Sequence, residues 1–279
     1  MRLGLVLVVL CSCITPYDPC DELTFQEFST TSGAVAAVLD AAGPAKVYAV
    51  GEYHPTRRTA QTASPLARFT SDIIDQMMPR ARHLVVEAWT DTGCGGDGRR
   101  AGQQIAQVIG RPPAQKSDIE ALVMKSAKNR LATHGLQMTC LERGSLLDRM
   151  GHVDFLRLLE LVTEKLQATT KALVDNERAV IVYGGALHND LYPRWPLGAL
   201  SYAEPLQQDL GGGVVEIDLI VPEVVAPLAM IRNEGWFPLL GRSAPGRTLV
   251  WERGPGSYVL ILPAQSLEPA KVALPVASI

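Results

Sequence analysis

Four short apolar runs, separated by segments with helical periodicity, constrain the fold of this chain more than any other feature. Each run has the length and composition of a buried strand. The runs lie at residues 46–50, 83–87, 136–141 and 179–183. Strands that alternate with helices pair into a largely parallel sheet with right-handed crossovers. The sequence therefore predicts an α/β fold with a mostly parallel sheet flanked by helices.

The segments between these runs predict amphipathic helices. Apolar residues recur at helical spacing over residues 64–78. Ser117 and Glu120 have the spacing of a capping box and predict the start of a helix over residues 117–134. A longer helix is predicted over residues 146–176, where apolar residues again form one stripe. We expect these stripes to pack on the sheet.

The last third of the chain predicts further strands. Residues 213–221 have the pattern of one strand. Residues 248–252 and 258–262 flank the sequence Gly-Pro-Gly, as the two strands of a hairpin do. We expect the extra strands and the hairpin to extend one edge of the sheet.

Composition and charge exclude several classes of protein. The chain has 279 residues, of which 47% are hydrophobic and 20% charged, as in an ordered globular domain. It carries 26 Lys and Arg against 29 Asp and Glu, a net charge of -3. Because nucleic-acid binding needs a basic surface, no nucleic-acid partner is predicted.

The N-terminus has the pattern of a secretory signal. Met1 and Arg2 form a short positive start, and residues 3–10 are apolar without a charge. This run is too short for a transmembrane helix, which needs about 20 apolar residues. It ends in Leu-Cys-Ser-Cys, which resembles a bacterial lipobox with Cys13 as the lipidated residue. The alternatives are an ordinary cleaved signal peptide and a buried N-terminal strand.

These features divide the chain into three parts. We predict a lipoprotein signal peptide at residues 1–12, a polar tether at 13–32 and a single α/β domain at 33–279. Ile14, not Asp, follows Cys13. The resemblance to lipoproteins of Gram-negative bacteria then implies a lipid anchor in the outer membrane, so the membrane is one predicted partner in the cell envelope.

The cysteines allow one disulfide bond in the mature protein. If Cys11 is removed and Cys13 is lipidated, the cysteines that remain are Cys20, Cys94 and Cys140. In an oxidising compartment two of them can pair, and one thiol is left over. None has the spacing of a metal ligand pair.

Polar residues that can carry chemistry follow three of the predicted strands. Glu52 and His54 come after the first strand, Glu87 ends the second, and His188 follows the last. Because strand ends in a parallel sheet converge on one rim, these four side chains can meet in space. Two imidazoles and two carboxylates can bind a divalent metal ion, or can act as base and acid around a carbonyl group.

The same residues carry a family resemblance. The sequence Val-Gly-Glu-Tyr-His at 50–54, the strand that ends at Glu87, and Tyr-Gly-Gly-Ala-Leu-His-Asn at 183–189 resemble the ChaN-like haem-binding lipoproteins. They also resemble the wider superfamily that holds the Tiki/TraB proteins and the erythromycin esterases. The resemblance covers residues 46–190.

The resemblance implies a hydrolase. Tiki-like members suggest metal-dependent cleavage of a peptide, and esterase-like members suggest metal-free hydrolysis of an ester. Under either reading His54 is a general base or metal ligand, and Glu52 and Glu87 orient it or bind the metal. His188 is a second ligand or the acid. The predicted substrate-binding residues are Tyr53, Arg57, Arg58 and Asn189, with Arg58 as an oxyanion or carboxylate clamp.

Two alternatives come from other functional classes. The ChaN resemblance and the anchor suggest a lipoprotein that binds haem or iron without catalysis, with Tyr53, Tyr183 or His188 as an axial ligand. The other is a structural or interaction lipoprotein. Pro55 follows His54, where ChaN-like proteins have an acidic residue. Across the hydrolase and haem-binding readings, the predicted ligand is a small molecule, haem or a peptide.

Overall fold

The computed structural model describes residues 23–55, 59, 62–90, 114–148, 150, 152–175 and 177–265. Over these residues the chain forms a sheet of eight strands in the order β1-β7-β8-β6-β2-β5-β3-β4. The strands are β1 (Phe25–Phe28), β2 (Val47–Glu52), β3 (Ala81–Thr90), β4 (Ala132–Gln137), β5 (Ala179–Gly185), β6 (Val214–Ile220), β7 (Thr248–Gly254) and β8 (Ser257–Ile261).

The sheet is mostly parallel, as the sequence predicts. Every pair from β8 across to β4 is parallel, and only β7 runs antiparallel to its neighbours β8 and β1. β7 and β8 form the predicted hairpin, which lies between the edge strand β1 and the strand β6.

Helices flank the sheet. The described α-helices are Thr31–Ala42, Pro65–Arg68, Ile74–Met77, Ala114–Lys128, Cys140–Ser145, Phe155–Leu173, Ala186–Asn189, Ala203–Asp209 and Pro222–Val225. One π-helical turn, Phe69–Ile73, lies between the second and third of these helices.

Two buried clusters of apolar side chains hold the layers together. One cluster packs the helix Thr31–Ala42 and residues 66–77 on one face of the sheet. The other packs the long helix Phe155–Leu173 and the helix Ala203–Asp209 on the opposite face. Burying a Leu, Ile or Phe side chain contributes about 1.5–3 kcal/mol, so these clusters carry most of the stability of the domain.

Several predicted boundaries are wrong. The helix predicted over 117–134 is Ala114–Lys128, and residues 132–137 form β4. Residues 140–145, partly predicted as a strand, form a helix that Thr139 and Glu142 begin as a capping box. The long helix starts at Phe155, nine residues after the predicted start at 146, because Asp154 caps it by accepting from Arg157 N–H.

The predicted tether contains the first strand. Phe25–Phe28 pairs with β7, so the folded domain includes residues that the sequence placed before it. Residues 1–22, including Cys13, lie outside the described residues. No described helix has the length and hydrophobicity needed to cross a membrane. Cys140 is disulfide-bonded, and the remaining cysteines of the chain lie outside the described residues.

Candidate functional site

The predicted quartet lies at the carboxyl ends of the central strands. Strand β2 ends at Glu52, which pairs in register with Gly185 at the end of β5. Glu87 lies in β3, one residue beyond Val86, which pairs with Tyr183. His188 lies in the short helix Ala186–Asn189, directly after β5. Parallel strands therefore bring all four residues to one edge of the sheet.

His54 lies between two carboxylates. Its Nδ1 is 2.6 Å from Glu52 Oε1, and its Nε2 is 3.5 Å from Glu87 Oε1. The side chain of His54 is 32% exposed, whereas those of Glu52 and Glu87 are 1% and 10% exposed. His54 Nδ1 is therefore within hydrogen-bond distance of Glu52, and its Nε2 is within ion-pair distance of Glu87.

Tyr183, which packs against Phe69, fixes the position of Glu52. The Tyr183 hydroxyl donates a short hydrogen bond to Glu52 Oε2. The Tyr183 ring packs against Phe69, with 4.6 Å between ring centroids, and Phe69 begins the π-helical turn. Glu52 therefore presents its other oxygen to His54 with little freedom to rotate.

Three polar side chains of the site approach one another at Gly185. Its backbone N–H donates to Glu87 Oε2 over 2.7 Å. A Cβ atom at Gly185 would lie 3.2 Å from His54 Nε2 and 3.5 Å from both Glu87 Oε2 and His188 Cδ2. The missing side chain of Gly185 thus leaves room for three polar side chains to approach one another.

His188 is buried and held at one ring nitrogen. Its Nδ1 lies 3.0 Å from the carbonyl oxygen of Leu200 and 2.8 Å from Thr163 Oγ1. A carbonyl oxygen only accepts, so Nδ1 carries the hydrogen and donates. The Cδ2 atom of the same ring, which is bonded to Nε2, faces Gly185.

The donor set does not fit a resident metal ion in this arrangement. Among the described residues, no three His, Cys, Asp or Glu side chains are placed to hold a metal. Both ring nitrogens of His54 face carboxylates, and His188 Nδ1 faces the carbonyl of Leu200. These ring nitrogens are thus engaged by other groups of the protein.

The residues predicted as axial haem ligands are also buried or packed against other residues. Tyr183 is buried and donates to Glu52, and His188 is buried. Tyr53 packs edge-on against Trp236, with 5.7 Å between ring centroids. Burial and the nearby carboxylate of Asp218 raise the pKa of Tyr53 above its usual range, which disfavours the phenolate that binds haem iron.

Of the other predicted substrate-binding residues, the structure describes Asn189. Asn189 is fully buried, and neither its Oδ1 nor its Nδ2 has a hydrogen-bond partner among the described residues. Arg57 and Arg58 lie outside the described residues.

Sequence reasoning missed a buried carboxyl cluster on β6. Glu216 and Asp218 alternate with apolar residues on this strand, and both are buried. Asp218 pairs in register with Gly51 and packs against it. Arg253 reaches in from β7 and donates to Glu216 Oε2 over 2.7 Å and to Asp190. The signal was two acidic residues on one face of an otherwise apolar strand.

Burial shifts the protonation of this cluster. It raises the pKa of Glu216 to about 7, although the guanidinium of Arg253 opposes the shift. Burial, reinforced by the charge of Glu216, also raises the pKa of Asp218 well above its usual range. Burial lowers the pKa of Arg253, but Glu216 and Asp190 more than offset it, so Arg253 stays charged. The cluster therefore holds protons at neutral pH that ordinary carboxyl groups have lost.

Comparisons with known proteins add little. No protein-family model matches the chain, and no curated protein sequence matches it. Among solved structures, that of the type III effector HopBA1 is similar at a TM-score of 0.39 and 12% identity, over 88% of this chain and 98% of that one. A likeness of this size carries no argument about activity, so the function has to be inferred from the residues of this chain.

Proposed function

We propose that the protein is a hydrolase that cleaves an ester or peptide bond by acid–base catalysis, with His54 and His188 as the two proton-transfer groups. The observation that carries this proposal is the convergence of His54, Glu87 and His188 on Gly185. Two imidazoles held by fixed partners beside one glycine fit the requirements of general acid–base catalysis.

The hydrogen bonds assign a different role to each histidine. His188, whose Nδ1 donates to the Leu200 carbonyl, suits a general base that takes a proton at Nε2 from water as the water oxygen attacks the carbonyl carbon. His54, with a carboxylate at each nitrogen, suits a general acid that gives its Nε2 proton to the leaving oxygen or nitrogen as the bond breaks. These roles reverse the ones that the sequence suggests for the two residues.

The test uses the purified full chain and two substrate classes, p-nitrophenyl esters and fluorogenic peptides. We expect turnover that falls about 10²–10⁴-fold in H54Q and in H188Q. The matched control is H152Q, because His152 is exposed and lies 3.3 Å from Asp148, which makes a second His–carboxylate pair outside the site. Equal turnover in all three variants would show that the quartet has no catalytic role.

The same preparations test the metal and haem alternatives. Activity that is lost on chelation and restored by Zn²⁺ or Mn²⁺ would indicate the metal-dependent branch of the resemblance. A Soret band on haem addition that H188Q abolishes, without turnover of any substrate, would replace the hydrolase with a haem-binding lipoprotein.

We also propose that the chain is an exported lipoprotein anchored through Cys13. The disulfide bond at Cys140 supports an oxidising compartment, since such bonds are rare in the cytosol. The test is metabolic labelling with a radioactive fatty acid in a Gram-negative host, followed by separation of the inner and outer membranes. We expect label on the wild type and on C11S and none on C13S; label that persists in C13S would contradict the anchor.

A further inference from the structure

Large apolar side chains are exposed on two loops of the domain. Trp195 is 94% exposed, Met230 is 73% exposed and Leu197 is 44% exposed. A single exposed apolar side chain is common on a globular domain. A tryptophan left almost wholly in water is different, because its large ring gains much free energy on leaving water. We call Trp195, Leu197 and Met230 the apolar patch.

The two loops that carry the patch lie side by side. Arg194, directly before Trp195, donates from Nη1 to the carbonyl oxygen of Asn233 over 2.9 Å. Met230 lies one turn before Asn233 in the same 3₁₀-helix, which spans residues 229–233. Trp195 and Met230 therefore flank one contact between the loops.

The chain enters the folded domain beside the second of these loops. Leu23, the first residue that the structure describes, packs against the buried apolar cluster that contains Ile231 and Trp236. Ile231 directly follows Met230 in the 3₁₀-helix. The segment that precedes the domain therefore joins it on the side that carries Met230.

The length of this segment limits which side of an anchored domain can meet a membrane. Nine residues lie between Cys13 and Leu23, so the chain from one to the other spans at most about 35 Å. A compact domain of this size is about 45 Å across. If the far edge of the sheet, at β4, lay on the bilayer, Leu23 would be out of reach of the anchor. An anchored domain therefore turns the side of Leu23 and Met230 towards the bilayer.

We propose that the apolar patch docks on the surface of the lipid bilayer in which Cys13 is anchored. This inference rests on the proposed lipid anchor and adds the face of the domain that meets the membrane. Tryptophan suits the boundary between acyl chains and headgroups, because its ring is apolar and its N–H is polar. Arg194 and Arg232 are exposed on the same loops and suit anionic headgroups, and Glu234 offsets part of their charge. Docking holds the loop that follows the helix Ala186–Asn189 against the membrane.

The structure offers a matched control for Met230. Met124 is also 73% exposed. It lies in the helix Ala114–Lys128, which leads into β4 at the opposite end of the sheet from β1. M230Q and M124Q make the same chemical change on side chains that lie mostly in water, so neither should unfold the chain. An effect confined to M230Q therefore depends on the position of the side chain and not on a general loss of hydrophobicity.

The first readout is quenching of tryptophan fluorescence by lipids that carry bromine on their acyl chains. The purified full chain is placed on vesicles of phosphatidylethanolamine and phosphatidylglycerol. Trp195 is the exposed member of the four tryptophans, so the difference between the wild type and W195F reports on it. We expect brominated lipid to quench Trp195 in the wild type and in M124Q, and this quenching to be lost in M230Q. An unquenched Trp195 in the wild type would overturn the docking surface.

The second readout is vesicle binding of C13S, which separates docking from the anchor. Residues 1–12 are the same in all variants and cancel in the comparison. We expect the apparent affinity for the vesicles to be about tenfold lower in C13S/M230Q than in C13S, and unchanged in C13S/M124Q. Equal affinity in all three would contradict docking through the patch.

The two proposals fail in different ways. Quenching of Trp195 in C13S, with no fatty-acid label on the wild type, would support the docking surface and reject the anchor. Fatty-acid label on the wild type, with no quenching of Trp195, would support the anchor and reject the docking surface. A dimer in sedimentation that M230Q abolishes, in place of vesicle binding, would replace the bilayer with a second copy of the chain.

Discussion

Replacing Glu216 by Gln is expected to change how the stability of the fold depends on pH. The pKa of this carboxyl rises from 4.5 to about 7 on folding, which corresponds to about 3 kcal/mol of differential stability. Between these two values the unfolded chain loses the proton while the folded chain keeps it. Stability from this group is therefore present at low pH and is lost as pH rises towards 7 and above.

The surroundings of Glu216 set the sign of the effect. Burial opposes the charged form most strongly, and the charge of Asp190 adds to it, whereas Arg253, the Ser257 hydroxyl and Leu191 N–H stabilise the charged form. Desolvation outweighs the three favourable partners, so ionising Glu216 destabilises the folded state. In E216Q the side chain stays neutral at every pH, and the cost is absent.

The assay is urea unfolding of the full chain, followed by tryptophan fluorescence at pH 5 and pH 8. We expect the wild type to lose about 2–3 kcal/mol more than E216Q between these two pH values. The control is E252Q, since Glu252 is exposed on β7 and should leave the wild-type pH dependence unchanged. Parallel pH curves for the wild type and E216Q would refute a buried, protonated Glu216.

Three further substitutions in the site, with G144A as a control outside it, test how the site is packed. G51A places a methyl group 2.8 Å from Ala186 Cα and against Asp218, so we expect about 1–3 kcal/mol of destabilisation in urea unfolding. In the control G144A the added Cβ has no atom within 4 Å, so we expect the substitution to stabilise its helix by about 0.5–1 kcal/mol. G185A is expected to lower turnover about 10–100-fold with an unchanged Tm, and an unchanged turnover would show that the convergence is not catalytic. Y183F removes the hydroxyl bonded to Glu52 and is expected to cost about 1.5–3 kcal/mol on unfolding, whereas full stability would mean that the bond contributes nothing.

The parallel sheet and the meeting of the quartet could be predicted because both follow from short-range patterns. A strand that leads into Gly-Glu-Tyr-His and another that leads into Gly-Gly-Ala-Leu-His bring these residues to one edge of the sheet if they pair in parallel, and β2 and β5 do pair in parallel. The chemical roles of Glu52, His54, Glu87 and His188 stay predictions.

What could not be predicted depends on contacts between distant segments. Thr163 looks like any helical threonine until the fold brings Leu200 and His188 to it. Glu216 and Asp218 stand out in sequence, but only Arg253, from another strand, shows that they are buried together. The helix boundaries near 140 and 155 were wrong because the capping residues Thr139 and Asp154 outweigh the apolar pattern that continues past them.

The strand order has a consequence for how the chain folds. β2 and β3 are consecutive in sequence, yet β5 lies between them and pairs with both. β2 and β3 therefore cannot join one sheet until β5, at residues 179–185, has been synthesised and has inserted between them. Pairing across such long separations is slow, so we expect the sheet to close late in folding.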